Sequence, residues 1–517
     1  MSTVFDEAIL EQHAEIDLSV LPSLRSEREQ AIVLALDIGT SGARAALFNE
    51  RGDQIDGSFV SMENEEYTAF VSGDDLSADA LVTLVAAVLD RAVERAEELV
   101  SRVDYVAASC FWHSLIGVDD AGRAITPLLG WADTRAAATV DELREEIDES
   151  KTHARTGCRF HSSYWPARIL WLKQSAADLF ANVTRWVSFS DYLYHELFGS
   201  LSTSISMASA TGLFNQTTCN WDDKLLAALG MTDDQLPPVA PLRKTAGGLR
   251  EDFMLRWPIL ERAAWLQAIG DGGANNIGAG CVSRDQIALM LGTSGAMRML
   301  SSRAAPAVLP PELFCYRADR ERVVIGGALS DGGGLLRWLQ QNVALNYEAG
   351  ELNRLLEAFD PDSHGLTILP FWSGERAPGW SNNATGTIHG LTAKTKSVDI
   401  LRAVMESICY LFALILRPLN SFAPNAAIIL TGKIFLSYPM WAQTFSDVFG
   451  REVEVSSVSE NSLRGAALLA LETIGTIDSL EIIGSQPARA FVPDKQRHEV
   501  YRRAIDRQQD LYRRLRN

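Results

Sequence analysis

The tetrapeptide Gly-Thr-Ser-Gly occurs twice in the chain, at residues 39–42 and again at residues 292–295. An apolar run precedes each copy, at residues 32–38 and 287–291, and a partly apolar run follows each copy. This pattern predicts the same strand–turn–strand unit in each half of the chain. Glycine, threonine and serine leave backbone N–H groups and hydroxyls available, so such turns are suited to phosphate. Two of these turns, in two halves, predict a nucleotide held between two domains.

The composition is that of an acidic globular protein. The chain has 517 residues, too many for one compact core, with 47% hydrophobic and 22% charged residues. A net charge of −19 argues against general binding to nucleic acid or to anionic membranes. It leaves ATP binding open, because a local site can be positive inside an acidic protein. No apolar run is long enough to span a bilayer, so we expect neither a nucleic-acid nor a membrane partner.

The cysteines and the N-terminal segment bear on localisation. The six cysteines are widely scattered and form no CxxC pair, which favours reduced thiols. Residues 1–30 carry several acidic side chains and no uninterrupted apolar stretch, so they do not resemble a signal peptide. We therefore predict a cytoplasmic protein with an acidic N-terminal extension over residues 1–30.

Proline and glycine mark the expected domain boundary. Residues 237–258 contain Pro237, Pro238, Pro241, Gly247, Gly248 and Pro258, and we place the boundary near residue 260. The predicted domains are then residues 31–260 and 261–517. Strands and helices alternate in both, which predicts α/β layers with ligands at the strand ends. Helices are predicted over residues 78–103, 141–149, 165–174, 399–416 and 462–471, and strands over 103–110, 366–370 and 427–430.

Two aspartates stand at turns suited to phosphoryl chemistry. Asp37 directly precedes the first Gly-Thr-Ser-Gly turn, where an acid can hold Mg²⁺ through water while the turn binds phosphate. The alternative for Asp37 is a plain hairpin with an Asx-type turn. Asp271 lies in the glycine-rich stretch 269–280 and is a candidate general base for a substrate hydroxyl. The alternative for Asp271 is an N-cap at a glycine-lined helix start.

Two further motifs follow predicted strands. Residues 111–114 (Phe-Trp-His-Ser) and residues 130–135 (Gly-Trp-Ala-Asp-Thr-Arg) combine rings and polar groups suited to a polyol. Their alternative is a core tryptophan with a surface Asp/Arg pair. Thr431-Gly432-Lys433 would let the backbone approach a nucleotide, or would be a simple strand-to-helix turn.

The order of these motifs resembles the FGGY carbohydrate kinases. The chain shows DIGTSG, HSL with WADTR, GDGGANNIGAG, LGTSG, GERAPGW and the TGK turn in the family's order between residues 31 and 475. The resemblance implies the actin/sugar-kinase/Hsp70 fold: two actin-like (RNase H-like) ATPase domains with a catalytic cleft between them. It also implies ATP-dependent phosphorylation of a sugar or polyol hydroxyl, with Mg²⁺.

The resemblance implies a role for each matching residue. Asp271 falls on the family's catalytic base and Asp37 on the residue that organises Mg²⁺. Residues expected to line the sugar pocket are Trp112, His113 and Tyr164. Residues expected to bind the nucleotide are Gly39, Thr40, Ser41, Gly292, Thr293, Ser294, Gly432 and Lys433.

One departure and several alternatives remain. Family members usually carry two glycines where this chain has Gly432-Lys433, so Lys433 would point away, contact a phosphate or crowd the nucleotide. The motifs look most like the gluconokinase branch, with a ketopentose such as xylulose or ribulose as the alternative substrate. Arg159 and Arg168 would pair with a sugar acid's carboxylate, or simply face solvent. A non-catalytic nucleotide sensor is disfavoured by the presence of both aspartates. A homodimer is one open possibility for the assembly.

Overall fold

The computed structural model describes residues 31–64, 75–302, 304–343, 347 and 349–516. The predicted N-terminal extension, residues 1–30, lies outside the described residues. The strands are β1 (Val33–Gly39), β2 (Gly42–Phe48), β3 (Val60–Glu63), β4 (Tyr105–Cys110), β5 (Ile116–Val118), β6 (Arg185–Val187), β7 (Thr203–Ser204), β8 (Phe214–Asn215), β9 (Asn220–Trp221), β10 (Val239–Ala240), β11 (Ala264–Trp265), β12 (Ile269–Gly270), β13 (Gln286–Leu291), β14 (Gly295–Ser301), β15 (Phe314–Arg317), β16 (Val323–Leu329), β17 (Thr367–Leu369), β18 (Thr387–His389), β19 (Ala427–Thr431), β20 (Val453–Ser456) and β21 (Pro487–Phe491).

The α-helices connect these strands and cover the sheets. They are α1 (Ala78–Leu99), α2 (Thr139–Glu146), α3 (Glu149–Thr156), α4 (Trp165–Ser175), α5 (Ala177–Ala181), α6 (Phe189–Phe198), α7 (Ile205–Ser209), α8 (Asp223–Leu229), α9 (Glu251–Arg256), α10 (Asp271–Gly278), α11 (Gly334–Asn342), α12 (Ala349–Glu357), α13 (Ser397–Leu419), α14 (Ile434–Ser437), α15 (Pro439–Phe449), α16 (Asn461–Thr473) and α17 (Lys495–Arg516). In the described part of the chain, none is both long and apolar enough to cross a membrane.

The two large sheets share one topology. In the first, the strand order is β11-β4-β1-β2-β3, and β12 also pairs with β4. In the second, β20-β19-β13-β14-β16 repeats that order, with β21 and β15 added at the edges. In each sheet the hairpin closed by Gly-Thr-Ser-Gly is antiparallel, and its first strand pairs in parallel with the strand beyond it. The predicted two-domain α/β fold is confirmed, and the repeated tetrapeptide occupies the same place in both sheets.

The chain leaves the first sheet later than the boundary predicted near residue 260. Strands β11 and β12, at residues 264–265 and 269–270, both pair in parallel with β4 of that sheet. The proline- and glycine-rich segment, which contains β10 and α9, therefore precedes the last two strands of the first sheet. Such a segment marks irregular backbone, but its composition carries no information about which sheet the next strand joins.

One of the predicted helices is two separate helices in the structure. The charged stretch 141–149 is divided between α2 and α3, and Asp148 separates them. The side chain of Asp148 accepts from the backbone N–H of Lys151, 3.0 Å away, so it caps the second helix.

Candidate functional site

Asp37 lies near the end of β1, where the strand runs between its two neighbours. Its register partners are Arg44 on β2 and Ser109 on β4. The hydroxyl of Ser109 donates to Oδ1 at 3.0 Å, and Arg44 Nη1 lies 3.4 Å from Oδ2. Burial raises the pKa of Asp37 to about 6, although Arg44 and Ser109 each lower it. The carboxylate is thus only partly compensated by its protein neighbours.

Asp271 is the first residue of α10 and faces the same region. Its Oδ1 accepts from the backbone N–H of Gly272 at 2.8 Å. Burial raises the pKa of Asp271, while the charge of Arg298 is the largest opposing influence. The negative charge of Asp271 in turn raises the pKa of Asp37. The fold therefore brings together the two aspartates that the sequence singled out, and both lie at strand ends of the first sheet, Asp37 near the end of β1 and Asp271 directly after β12.

A recess beside Asp271 is walled by rings and arginines from both halves of the chain. Those from the first half are Trp112, His113 and Trp131, and those from the second include Ser294, Arg298, Phe314, Tyr316 and Arg376. The indole N–H of Trp112 donates to the carbonyl of Ser206 at 3.1 Å, which fixes the ring. A Cβ on Gly270 would lie 1.8 Å from that indole nitrogen, so only glycine fits there. Trp112 thus offers the recess an immobilised ring.

His113 presents a hydrogen-bond acceptor to the recess. Its Nδ1 is 2.8 Å from the carbonyl oxygen of Ala210, which can only accept, so Nδ1 carries the proton. Burial and the charge of Arg376 hold the pKa of His113 well below its usual value. The ring is therefore neutral, and Nε2 keeps a lone pair that can accept from a hydroxyl.

Tyr164 lies one layer behind this wall. Its ring packs edge-on against His113, with 5.2 Å between ring centroids, and its hydroxyl is 2.5 Å from that of Tyr316. Tyr316, rather than Tyr164, is among the residues that line the recess. Contact between Tyr164 and a sugar stays a prediction, and the structure gives Tyr164 a supporting position.

The second Gly-Thr-Ser-Gly turn is packed against two glycine-rich segments. The backbone N–H of Gly333 donates to the carbonyl of Gly292, and the N–H groups of Gly332 and Gly334 both donate to that of Thr293. Gly432 has a φ of 123°, and a Cβ there would lie 2.4 Å from the carbonyl oxygen of Leu291. Three backbone segments with small side chains thus converge at one strand end, as a nucleotide requires.

The first turn is a β1–β2 hairpin tied to the following strand. Gly39 pairs with Gly42, and Asn64 Nδ2 donates to the carbonyl of Thr40 at 3.1 Å. Asn64 also donates its backbone N–H to the carbonyl of Ser41 at 3.0 Å. The hairpin is therefore held by two hydrogen bonds from Asn64, which directly follows β3.

Two comparisons place this geometry among known proteins. The model of the FGGY carbohydrate kinase N-terminal domain matches residues 32–278, and that of the C-terminal domain matches residues 287–473. The chain belongs to the FGGY family of carbohydrate kinases. This FGGY kinase is accordingly a phosphotransferase, with ATP as the substrate that the family implies. The N-terminal match ends eight residues beyond Gly270, which agrees with the late exit from the first sheet.

Relatives with different substrates resemble this FGGY kinase. It is 27% identical to a gluconokinase of Bacillus subtilis over 87% of its own length and 89% of the relative's. It is 24% identical to a xylulose kinase of Staphylococcus xylosus over 85% and 90%. The crystal structure of gluconate kinase from Lactobacillus acidophilus superposes with a TM-score of 0.84 at 24% identity, covering 94% and 98% of the two chains. The superposition supports the two-domain actin-like fold.

Arg159 and Arg168, for which the sequence left open a sugar acid's carboxylate or solvent, are engaged with other protein groups. Arg168 is buried, and its guanidinium donates to the backbone carbonyls of Ser162, His113, Leu129 and Gly130. Arg159 donates to Glu149 Oε2 at 2.9 Å and to the carbonyl of Pro311. Neither lines the recess, so nothing here supports the alternative in which they pair with a sugar acid's carboxylate. The other alternative, a side chain that faces solvent, is wrong for the buried Arg168. A sequence does not reveal which carbonyls a guanidinium will meet in the fold.

The arginines that do line the recess are Arg298 and Arg376. Arg298 follows the second turn within an otherwise apolar strand, and this charge among apolar neighbours was the available signal. Arg376 belongs to the GERAPGW motif, to which the sequence assigned no individual roles. The glycines of residues 332–334 were missed as well, although three consecutive glycines before a helix are a recognisable signal.

Proposed function

We propose that this enzyme is an ATP-dependent kinase that phosphorylates a hydroxyl of a sugar acid of the gluconate class. The observation that carries the proposal is the position of the Asp271 carboxylate, at the start of α10 and on the edge of the ring-lined recess. From there it can accept the proton of a hydroxyl while the convergent turns hold the nucleotide. A ketopentose is the alternative acceptor, since a xylulose kinase is 24% identical to the chain over 85% of its length.

The proposed reaction needs one general base and positive charge near the phosphates. The acceptor hydroxyl gives its proton to Asp271, its oxygen bonds to the γ-phosphorus of ATP, and the bond to the bridging oxygen breaks to release ADP. A raised pKa suits Asp271 to hold the proton it receives, because a weakly basic carboxylate would release it at once. The ring-lined walls exclude water and so disfavour ATP hydrolysis.

The surroundings of the Asp37 carboxylate suit it to bind a divalent cation. Its carboxylate is buried, and among the described residues the one cation within ion-pair distance is the partly exposed Arg44, at 3.4 Å. A pKa near 6 leaves it ionised at neutral pH with charge that the protein does not fully offset. Mg²⁺ bound there would neutralise charge on the phosphates. We infer that Asp37 holds it, with the Gly-Thr-Ser-Gly turns, Gly432 and Lys433 around the nucleotide.

The test of the base is Asp271→Asn. Removing the carboxylate that accepts the proton should lower kcat by about 10²–10⁴-fold for any acceptor. ATP affinity should be unchanged, because the nucleotide contacts are expected from the turns. Coupled ADP release over gluconate, xylulose, ribulose and polyols measures the first quantity, and calorimetric titration with MgATP measures the second.

The outcomes separate the alternatives. Turnover of gluconate with silent ketopentoses supports the sugar-acid assignment, whereas the opposite pattern transfers the assignment to a ketopentose. Asp271→Asn with wild-type turnover would refute the catalytic role of Asp271.

A further inference from the structure

Two buried arginines, Arg298 and Arg376, line the recess beside Asp271. Arg298 and Arg376 are 6% and 8% exposed. Across the described residues, no carboxylate lies within ion-pair distance of either guanidinium, although Asp271 is near enough to interact electrostatically with both. Burying a guanidinium without a paired anion costs folding free energy. Two such groups on one recess therefore indicate a site for a negatively charged ligand.

The nitrogen atoms of these arginines are available for hydrogen bonding. In the described part of the chain, Nε and Nη1 of Arg298 and Nε of Arg376 are buried without any hydrogen-bond partner. Buried polar groups without partners are rare in folded proteins and point to an absent ligand. The Arg376 side chain is nevertheless fixed, because it donates from Nη2 to the carbonyl of Leu329 at 2.8 Å and stacks on Trp131 at 4.8 Å.

Glycines make room for the Arg298 side chain. A Cβ on Gly272 would lie 2.7 Å from Arg298 Cζ, and one on Gly326 would lie 3.1 Å from its Cγ. Arg298 therefore extends across the sheet toward the start of α10, where Asp271 lies. Arg298, on β14 beside the start of α10, and Arg376, stacked on the Trp131 ring, thus place two guanidinium groups in one recess.

We propose that Arg298 and Arg376 bind the carboxylate of the substrate and select a sugar acid over neutral sugars and polyols. The inference rests on the proposed function, because it assigns the substrate class of the same site. Guanidinium groups match carboxylates with parallel N–H donors, which a hydroxymethyl group cannot satisfy. The ring-lined wall formed by Trp112, Trp131 and Tyr316 indicates that this side of Asp271 receives the sugar, whereas the convergent turns receive the phosphates.

The discriminating experiment compares gluconate with glucitol, which has the same carbon chain but a hydroxymethyl group instead of the carboxylate. For the wild-type enzyme, kcat/KM should favour gluconate by about 100-fold or more, because a site built for a polar group rejects the analogue lacking it. In Arg298→Met and Arg376→Met that ratio should fall below about tenfold, with the KM for ATP unchanged. Rates are measured on the alkaline plateau, where Asp271 is ionised.

Matched variants keep the comparison informative. Arg159→Met removes an arginine outside the recess and should leave the gluconate to glucitol ratio as in the wild type. Arg298→Lys keeps a charge but loses the paired donors, and should give an intermediate ratio. The lysine variant also reports on the site if a methionine variant folds poorly.

Each contrary result has a distinct meaning. An unchanged ratio, with both acceptors slowed equally, would show that Arg298 only tunes Asp271 and would overturn the proposal. A raised KM for ATP would assign the arginines to phosphate and overturn it too. Ketopentose turnover without sugar-acid turnover overturns this inference while the kinase assignment stands. No ADP release with any acceptor would instead overturn the proposed function itself.

Discussion

Asp37 is a residue whose position disfavours its own charge. Burial raises its pKa from 3.8 to about 6, so the folded protein binds this proton more tightly than the unfolded chain does. The contribution to stability is present below pH 3.8 and is lost as the pH rises through about 6. Above that pH the ionised carboxylate costs about 3 kcal/mol of folding free energy. A site that keeps such a cost is expected to serve ligand binding.

Replacing Asp37 with asparagine should therefore stabilise the protein while impairing it as an enzyme. Without divalent cations at pH 8, Asp37→Asn should raise the free energy of unfolding by about 1–3 kcal/mol, and the gain should shrink toward pH 5. The rate with MgATP should fall by at least about 100-fold, because an amide is a poor Mg²⁺ ligand. Urea titrations at both pH values measure the stability, with the exposed Asp56→Asn as control. Equal stability of wild type and Asp37→Asn at pH 8 would contradict the argument.

Among the elements, α10 and α16 cross at unusually short range. A Cβ on Gly465 of α16 would lie 1.8 Å from the carbonyl oxygen of Ala274, and one on Gly278 of α10 would lie 1.8 Å from that of Asn461. Glycines thus allow the two backbones to touch, and Arg464 Nη1 donates to the carbonyl of Gly278 at 2.7 Å. Because Asp271 begins α10, this crossing also sets the position of the proposed base.

A methyl group at the crossing should force these helices apart. Gly465→Ala is expected to lower the free energy of unfolding by about 3 kcal/mol and to reduce kcat, since α10 must shift. Gly350→Ala is the matched control: Gly350 is also helical, but no described residue lies within 4 Å of its added Cβ. The control should be neutral or slightly stabilising, by up to about 1 kcal/mol. Chemical unfolding of both variants measures the contrast, and similar losses in both would refute the crossing argument.

At the level of the whole molecule, a line of charges joins the two domains across the cleft. Glu460 lies 2.9 Å from Lys433 Nζ and 3.7 Å from Arg44 Nη1, and Arg44 reaches Asp37. Lys433, at the turn where the family usually has a second glycine, thus has an acidic partner. Its side chain is 69% exposed, so the ion pair contributes little to stability.

Replacing this lysine should change nucleotide binding only slightly. We expect Lys433→Gly to leave the Kd for ATP within about tenfold of the wild-type value, because Glu460 already directs the ammonium group. Isothermal titration with MgATP measures it. An affinity gain well beyond tenfold would show instead that Lys433 crowds the nucleotide.

The sequence predicted the parts of the molecule that local patterns determine. Apolar runs beside the repeated turns identified β1 and β13, and helical periodicity identified α13 within three residues at either end. Pairing between strands that are distant in the sequence could not be predicted, because nothing in residues 264–270 indicates that they join β4. The same limit applied to the arginines, because distant segments determine the hydrogen-bond partners of Arg168 and the lack of described partners for Nε and Nη1 of Arg298.

The helix α16 comes late in the chain yet packs on the first sheet. It lies against β1 and β4, and a Cβ on Gly52, just after β2, would meet the Leu468 side chain at 2.2 Å. A ribosome must therefore synthesise more than 460 residues before this apolar sheet face is covered. Until then the nascent first domain exposes this apolar face, and such exposed surface favours aggregation and makes chaperone assistance valuable. A fragment of residues 31–280 lacks α16, so this apolar sheet face would stay without the helix that covers it.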